Sequence, residues 1–178
     1  ASKEELMALA CRRAVDDIYS YALVCLTSPN GADLLFEAMA AAGRDARALA
    51  NASVAAIGPG TASALRRHGV IADVVPEESV AEALVEALAD VEVEGRPVLV
   101  ARAAEARDVV PDALCERGAD VDVVALYETV AEEPDPAALD AAAEANYVTF
   151  TSSSTVSNLV EAVGERFPPR ARIVSIGP

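Results

Sequence analysis

Thr27-Ser28-Pro29-Asn30-Gly31 follows the apolar run LVCL and precedes a helical pattern. Hydroxyls and an amide at that place can hold an anion without adding charge, because a helix N-terminus presents unpaired N–H groups and a partial positive charge. Ser28 or Asn30 can equally serve as an ordinary helix cap. A second hydroxyl-rich turn, Thr151-Ser152-Ser153-Ser154, follows the strand-like YVTF. Ile57-Gly58-Pro59-Gly60-Thr61-Ala62 is another strand-to-helix turn, echoed at the chain end by Ile176-Gly177-Pro178. Its glycines allow close backbone approach, and Thr61 can cap the helix and offer a hydroxyl. The turn lacks a P-loop lysine and full Gly-x-Gly-x-x-Gly spacing, which disfavours nucleotide binding.

Arg102 ends the apolar run VLVA, a natural place for a carboxylate-binding fork. A salt bridge to a nearby acid such as Glu105 is the competing reading. Tyr127 ends the last strand before an acidic segment and is expected to overlook a cleft between lobes. Its phenol can donate a proton or hydrogen bond, or can simply pack. His68 stands beside Arg66 and Arg67 at a helix end, with no second His or Cys at ligand spacing, so it reads as a solvated C-terminal histidine. With a single His no Ser-His-Asp arrangement is available.

Positioning these groups requires alternating strands and helices. Strand patterns lie at Ala22–Thr27, Ser53–Gly58, Ile71–Val75, Pro97–Ala101, Val121–Tyr127, Tyr147–Thr151 and Arg172–Ile176. Helical patterns lie at Glu4–Ala14, Ala32–Ala42, Thr61–His68, Val80–Leu88, Arg107–Arg117, Pro136–Ala145 and Thr155–Arg166. Gly43, Gly69 and Gly118 follow three of these runs as helix stops. Short, largely apolar strands alternating with helices predict a doubly wound parallel α/β sheet. The two hydroxyl-turn blocks repeat at an offset of about 120 residues, too long for a solenoid unit and suited to two related α/β lobes. Residues 1–127 form the contiguous lobe in this reading, 128–136 the linker and 137–178 part of a second lobe. With two strands, that second lobe is expected to be incomplete, the natural protein continuing beyond it.

Composition narrows the function classes. The 178 residues are 53% hydrophobic, and charges interrupt every apolar stretch before it reaches a membrane-spanning length. The start ASKEELMALACRR lacks the order of a signal peptide. Cys11, Cys25 and Cys115 are odd in number and lack Cys-x-x-Cys spacing, which fits structural roles in a reducing, cytoplasmic setting. The net charge of −15 argues against nucleic-acid or anionic-membrane partners. An anionic ligand would have to be held locally, by backbone N–H groups and a few arginines.

At these residues the chain resembles the uroporphyrinogen-III synthase family. The resemblance runs through LTSPNG, VAAIGPGTASALRRHGV, ADVVPEESVAEALVEAL, VLVARAAEARDVVPDALCERGADV with VALYET, and FTSSST leading to VSIGP. Where the family usually has Phe before the first Thr-Ser pair, this chain has Leu26. The resemblance implies two similar flavodoxin-like lobes joined by a two-stranded linker, one lobe contiguous and the other assembled from both chain ends. It implies that the opening strand and C-terminal third of the second lobe lie outside this sequence. The implied reaction converts the linear tetrapyrrole hydroxymethylbilane to uroporphyrinogen III. The hydroxymethyl group leaves as water, a spiro intermediate forms, and the last pyrrole ring is inverted before closure. No metal or organic cofactor is implied. Tyr127 matches the tyrosine proposed as proton donor. Thr27, Ser28, Asn30, Gly58, Thr61, Ala62, Arg102, Thr151, Ser152, Ser153 and Gly177 are the implied substrate-binding positions. A monomer is expected, with fusion to or adjacency with another tetrapyrrole-pathway enzyme left open.

The competing reading is a non-enzymatic two-lobed binding protein for an anionic small molecule, which the same turns would serve. Product analysis separates the two, because hydroxymethylbilane closes spontaneously to isomer I and isomer III requires the enzyme.

Overall fold

The computed structural model describes residues 2–130, 135–142, 144–151, 153–163 and 171–175. It divides into two compact units, Ala1–Thr129 and Val130–Pro178. The first holds helices α1 (Lys3–Asp16), α2 (Pro29–Ala41), α3 (Pro59–Arg67), α4 (Ala81–Ala87) and α5 (Val109–Glu116). Its strands are β1 (Leu23–Leu26), β2 (Ser53–Ala56), β3 (Pro97–Ala103) and β4 (Asp120–Tyr127).

These strands form one parallel sheet in the order β2-β1-β3-β4. Side chains alternate across it, as strand geometry requires. Val24 and Leu26 of β1 join Leu99, Ala101 and Val124 beneath α1, α2 and α3, while Leu23 and Cys25 join Val98 and Val100 beneath α4 and α5. Each crossover is then right-handed only if the helix changes face where the strand order reverses. It does: α2 covers the step from β1 to β2, and α5, on the opposite face, covers the step from β3 to β4. All four residues of β1 are buried, the pattern of a strand covered on both sides.

Local chemistry sets the helix ends. Ser2 and Glu5 form a reciprocal capping box on α1. Proline occupies the first position of both α2 and α3, where its missing N–H costs nothing. Both helices therefore begin earlier than their apolar patterns at Ala32 and Thr61 suggested, and their N-termini fall inside the two candidate turns. Gly43, Gly69 and Gly118 take φ of 71°, 82° and 79° one residue past the helix caps. Each closes its helix with a six-to-one and five-to-two pair of backbone hydrogen bonds, as in Val70 to Leu65 and Gly69 to Arg66.

One expected strand is corrected. Ile71–Val75 makes a single bridge, Val74 to Ala55, at the β2 edge. Ile71 and Val75 are exposed there, while the Asp73 carboxylate accepts the Val54 N–H at 2.7 Å, so a side chain fills a place a ladder bond would take. The sheet has four strands, one fewer than the five expected before the linker.

In the second unit, β5 (Tyr147–Phe150) pairs in parallel with β6 (Arg172–Ser175). Helix α6 (Pro136–Ala142) precedes β5, and α7 (Ser153–Val163) lies between the strands. The β5-α7-β6 order repeats the parallel β1-α2-β2 order of the first unit. Ile173 and Val174 of β6 are exposed, unlike the covered strands of the first sheet. No helix among the described residues is long and apolar enough to cross a membrane.

Candidate functional site

The neighbours of β1 are β2 on one side and β3 on the other, so the connections diverge between β1 and β3. At such a switch point the carboxyl ends of the strands leave a crevice for a ligand. In the first unit an open cleft of ≈ 280 Å³ lies there, its wall including Thr27, Ile57, Ser79, Arg102, Arg107 and Tyr127. These side chains come from the ends of all four strands and from the loops before α4 and α5. Ser28 and the Gly58–Thr61 turn lie at the same end of the sheet, side by side: a Cβ built on Gly60 would stand 3.6 Å from the Pro29 ring.

Ser28 is the N-cap of α2, and its Oγ accepts the Gly31 N–H at 2.9 Å. The Tyr127 hydroxyl donates to the same Oγ, also at 2.9 Å. Register makes this possible: only β3 separates β1 from β4, and Ser28, two residues past the Leu26–Ala101 pair, comes level with Ala103, which pairs with Tyr127. Gly31 is tight here, because a Cβ on it would lie 3.0 Å from Ser28 Oγ. Asn30, one residue earlier, is exposed.

Gly58 is the N-cap of α3 with extended backbone and no capping side chain. Thr61 therefore does not cap. It sits two residues past Pro59 with only 2% of its surface exposed, and Ala62 packs against the core. What approaches Gly58 is Ser79, whose Oγ would lie 2.1 Å from a Cβ placed there.

Arg102 does make a local ion pair, but with Asp108 (2.6 Å) rather than Glu105. Its Nη1 donates to the carbonyls of Ala106 and Arg107 at 2.8 and 2.9 Å, so the guanidinium ties down the loop after β3. The exposed Arg107, on the cleft wall, pairs with Glu82 of α4 at 2.6 and 3.0 Å. That hydrogen-bonded cation holds the Glu82 carboxyl below its ordinary range.

The family model for uroporphyrinogen-III synthase HemD matches residues 6–178. This chain belongs to the uroporphyrinogen-III synthase family. A Methanothermobacter thermautotrophicus protein, provisionally named uroporphyrinogen-III synthase, is 35% identical, over 94% of this chain and 68% of its own length. A porphyrin biosynthesis protein HemD of Ruminiclostridium josui is 33% identical, over 84% of this chain but 30% of its own length. Solved structures of the Thermus thermophilus uroporphyrinogen III synthase share the fold, with TM-scores of 0.66 and 0.62. They cover 93% of this chain and 69% and 68% of theirs, at 22% and 24% identity.

Thr27, Arg102 and Tyr127 line one cleft, with Ser28 bonded to its tyrosine. In the second unit Thr151 is exposed just past β5, and Ser153 opens α7. Ser152 and Gly177 lie outside the described residues. Ser79 went unnoticed in the sequence. A serine just before an apolar helical pattern was its one signal, and nothing local ties it to Gly58. His68 is a correction. It stacks on Phe36, ring centroids 4.5 Å apart, and its Nε2 lies 2.8 Å from Asp33, so it joins α3 to α2 instead of standing in solvent. The His68 hydrogen bond, with Arg67 nearby, holds the Asp33 carboxyl below its ordinary range. Cys25 is fully buried, and burial pushes its thiol up to about 12, an inert core group.

Proposed function

We propose that the cleft at the ends of β1–β4 holds part of hydroxymethylbilane, and that Tyr127 gives the proton with which the terminal hydroxyl leaves as water. The observation that carries this reading is the placement of the phenol on the wall of a switch-point cleft, beside the N-termini of α2 and α3, in a chain of this family. A substrate with eight carboxylates suits a cleft flanked by helix N-termini, whose backbone amides can hold anions in a chain of net charge −15. The second unit, with its matching β5-α7-β6 order and hydroxyl turn, belongs in this reading to the second lobe.

The chemistry follows from holding rather than from a reactive cofactor. The electron pair of the ring nitrogen expels the hydroxyl as it is protonated, and the exposed cationic carbon is attacked by the far pyrrole. Both reacting ends belong to one molecule, so fixing the folded chain removes the conformational entropy of bringing them together in the right orientation. A positioned acid contributes a further factor of roughly 10²–10⁴. Incubation of the full-length protein with freshly made hydroxymethylbilane, followed by oxidation and chromatography of the porphyrin isomers, tests the reading. Isomer III is expected. Isomer I at the uncatalysed rate would leave a binding protein only.

A further inference from the structure

Ser28 has two acceptor sites and one proton. Both acceptor sites are occupied, by the Gly31 N–H and the Tyr127 O–H, each at 2.9 Å. The tyrosine proton is therefore held by Ser28 in the resting site, and the Ser28 proton is left over. From this geometry we infer that Ser28 is a positioning residue for Tyr127: it aims the phenol before reaction and stabilises the phenolate that forms. This inference rests on the reading of Tyr127 as the proton donor.

When the substrate hydroxyl approaches, the Tyr127 O–H turns from Ser28 to it. The phenol O–H bond breaks, the proton joins the departing oxygen, and the carbon–oxygen bond breaks as water forms. The Ser28 hydroxyl turns in the opposite sense and donates to the phenolate. Gly31 N–H stays on Ser28 Oγ throughout and polarises that O–H with the positive end of the thirteen-residue helix α2. The net reaction loses only water, so the proton is restored to Tyr127 when the closing pyrrole carbon gives up its hydrogen and the ring regains aromaticity. The serine is consequently engaged with the protein rather than with a substrate carboxylate.

Steady-state kinetics of isomer III formation by the full-length protein distinguish the roles. Ser28→Gly removes the hydroxyl while keeping an acceptable helix N-cap. A hydrogen bond to a charged oxygen is the stronger kind, so kcat is expected to fall roughly 10- to 100-fold, with KM within about twofold of the parent. Ser28→Thr should restore kcat. In a Tyr127→Phe background, Ser28→Gly should cost nothing more, because its partner is gone. Ser28→Cys keeps the shape with a weakly bonding thiol and should also lose kcat, which guards against a glycine-loosened turn. Parental kcat in both Ser28→Gly and Ser28→Cys, or multiplying losses in the double variant, would overturn the positioning role while leaving Tyr127 as donor. A rise in KM alone would make Ser28 a substrate contact. Parental kcat in Tyr127→Phe would overturn the donor reading and this inference with it.

Discussion

Gly58→Ala isolates how closely the loop before α4 is pressed onto the Gly-Pro-Gly-Thr turn. Gly58 has φ −177° and ψ −179°, extended backbone that alanine adopts freely, so the whole effect is steric. The new methyl carbon would stand 2.1 Å from Ser79 Oγ, 2.8 Å from its Cβ and 3.5 Å from its Cα. Rotating the serine hydroxyl away removes the first clash but leaves the second. Ordinary contact begins at 3.4 Å, so Ser79 Cβ must withdraw by 0.6 Å, and the backbone of the loop must follow. Overpacking of this size costs roughly 1–3 kcal/mol. For a unit of this length that lowers the melting temperature by about 3–10 °C. Ser79→Gly removes both offending atoms from an exposed position and should be near neutral alone. Gly58→Ala combined with Ser79→Gly should regain most of the lost stability, a coupling of about 1–2 kcal/mol. Thermal unfolding followed by circular dichroism measures all four proteins. A Gly58→Ala protein melting with the parent, or a double variant no more stable than Gly58→Ala, would refute the close approach. Because Ser79 lines the cleft, Gly58→Ala should also raise KM for hydroxymethylbilane.

Tyr127→Phe deletes only the hydroxyl and should lower isomer III formation at least about tenfold, with little change in melting temperature; unchanged turnover would leave the ring a packing group. Tyr21 is 2% exposed and donates to Asp122 at 2.7 Å, and burial followed by that bond raises its pKa above the ordinary value near 10. The unfolded phenol then ionises first, so stability should fall as pH rises above 10, and this loss should be absent in Tyr21→Phe during alkaline melts. Asp33 is the opposite case, its pKa depressed first by the His68 hydrogen bond and then by Arg67. Its contribution is present above the ordinary value of 3.8 and lost as pH falls through the lower folded value. Asp33→Asn should cost about 0.5 kcal/mol at neutral pH, after screening of a part-exposed group, and progressively less in acid melts as pH falls below 3.8. An equal loss in neutral and acid melts would assign the effect to packing.

The alternation of apolar runs and helical patterns was enough to determine the parallel α/β sheet, because a strand covered on both faces must be apolar along its whole length. Leu23–Leu26 and Val98–Ala101 announce that directly. The helix stops were equally plain, since a positive φ after the last turn calls for glycine at 43, 69 and 118. Sequence also put Thr27, Arg102 and Tyr127 at strand ends, and so at one edge of any parallel sheet. It could not choose their partners. Ser28 and Tyr127 are 99 positions apart and meet because the strand order sets β3 between β1 and β4. For Arg102 the sequence left a carboxylate fork and a local salt bridge both open; its own loop curls back and presents Asp108 and two carbonyls at the distance its guanidinium spans. Ile71–Val75 has the composition of a strand, but a ladder needs two backbones, and the Asp73 side chain takes one of the β2 donors. Ser79 at Gly58 and His68 on Phe36 are likewise contacts between elements. Periodicity reports which face of an element is buried. Which atoms then meet depends on the order and level at which the elements are laid together.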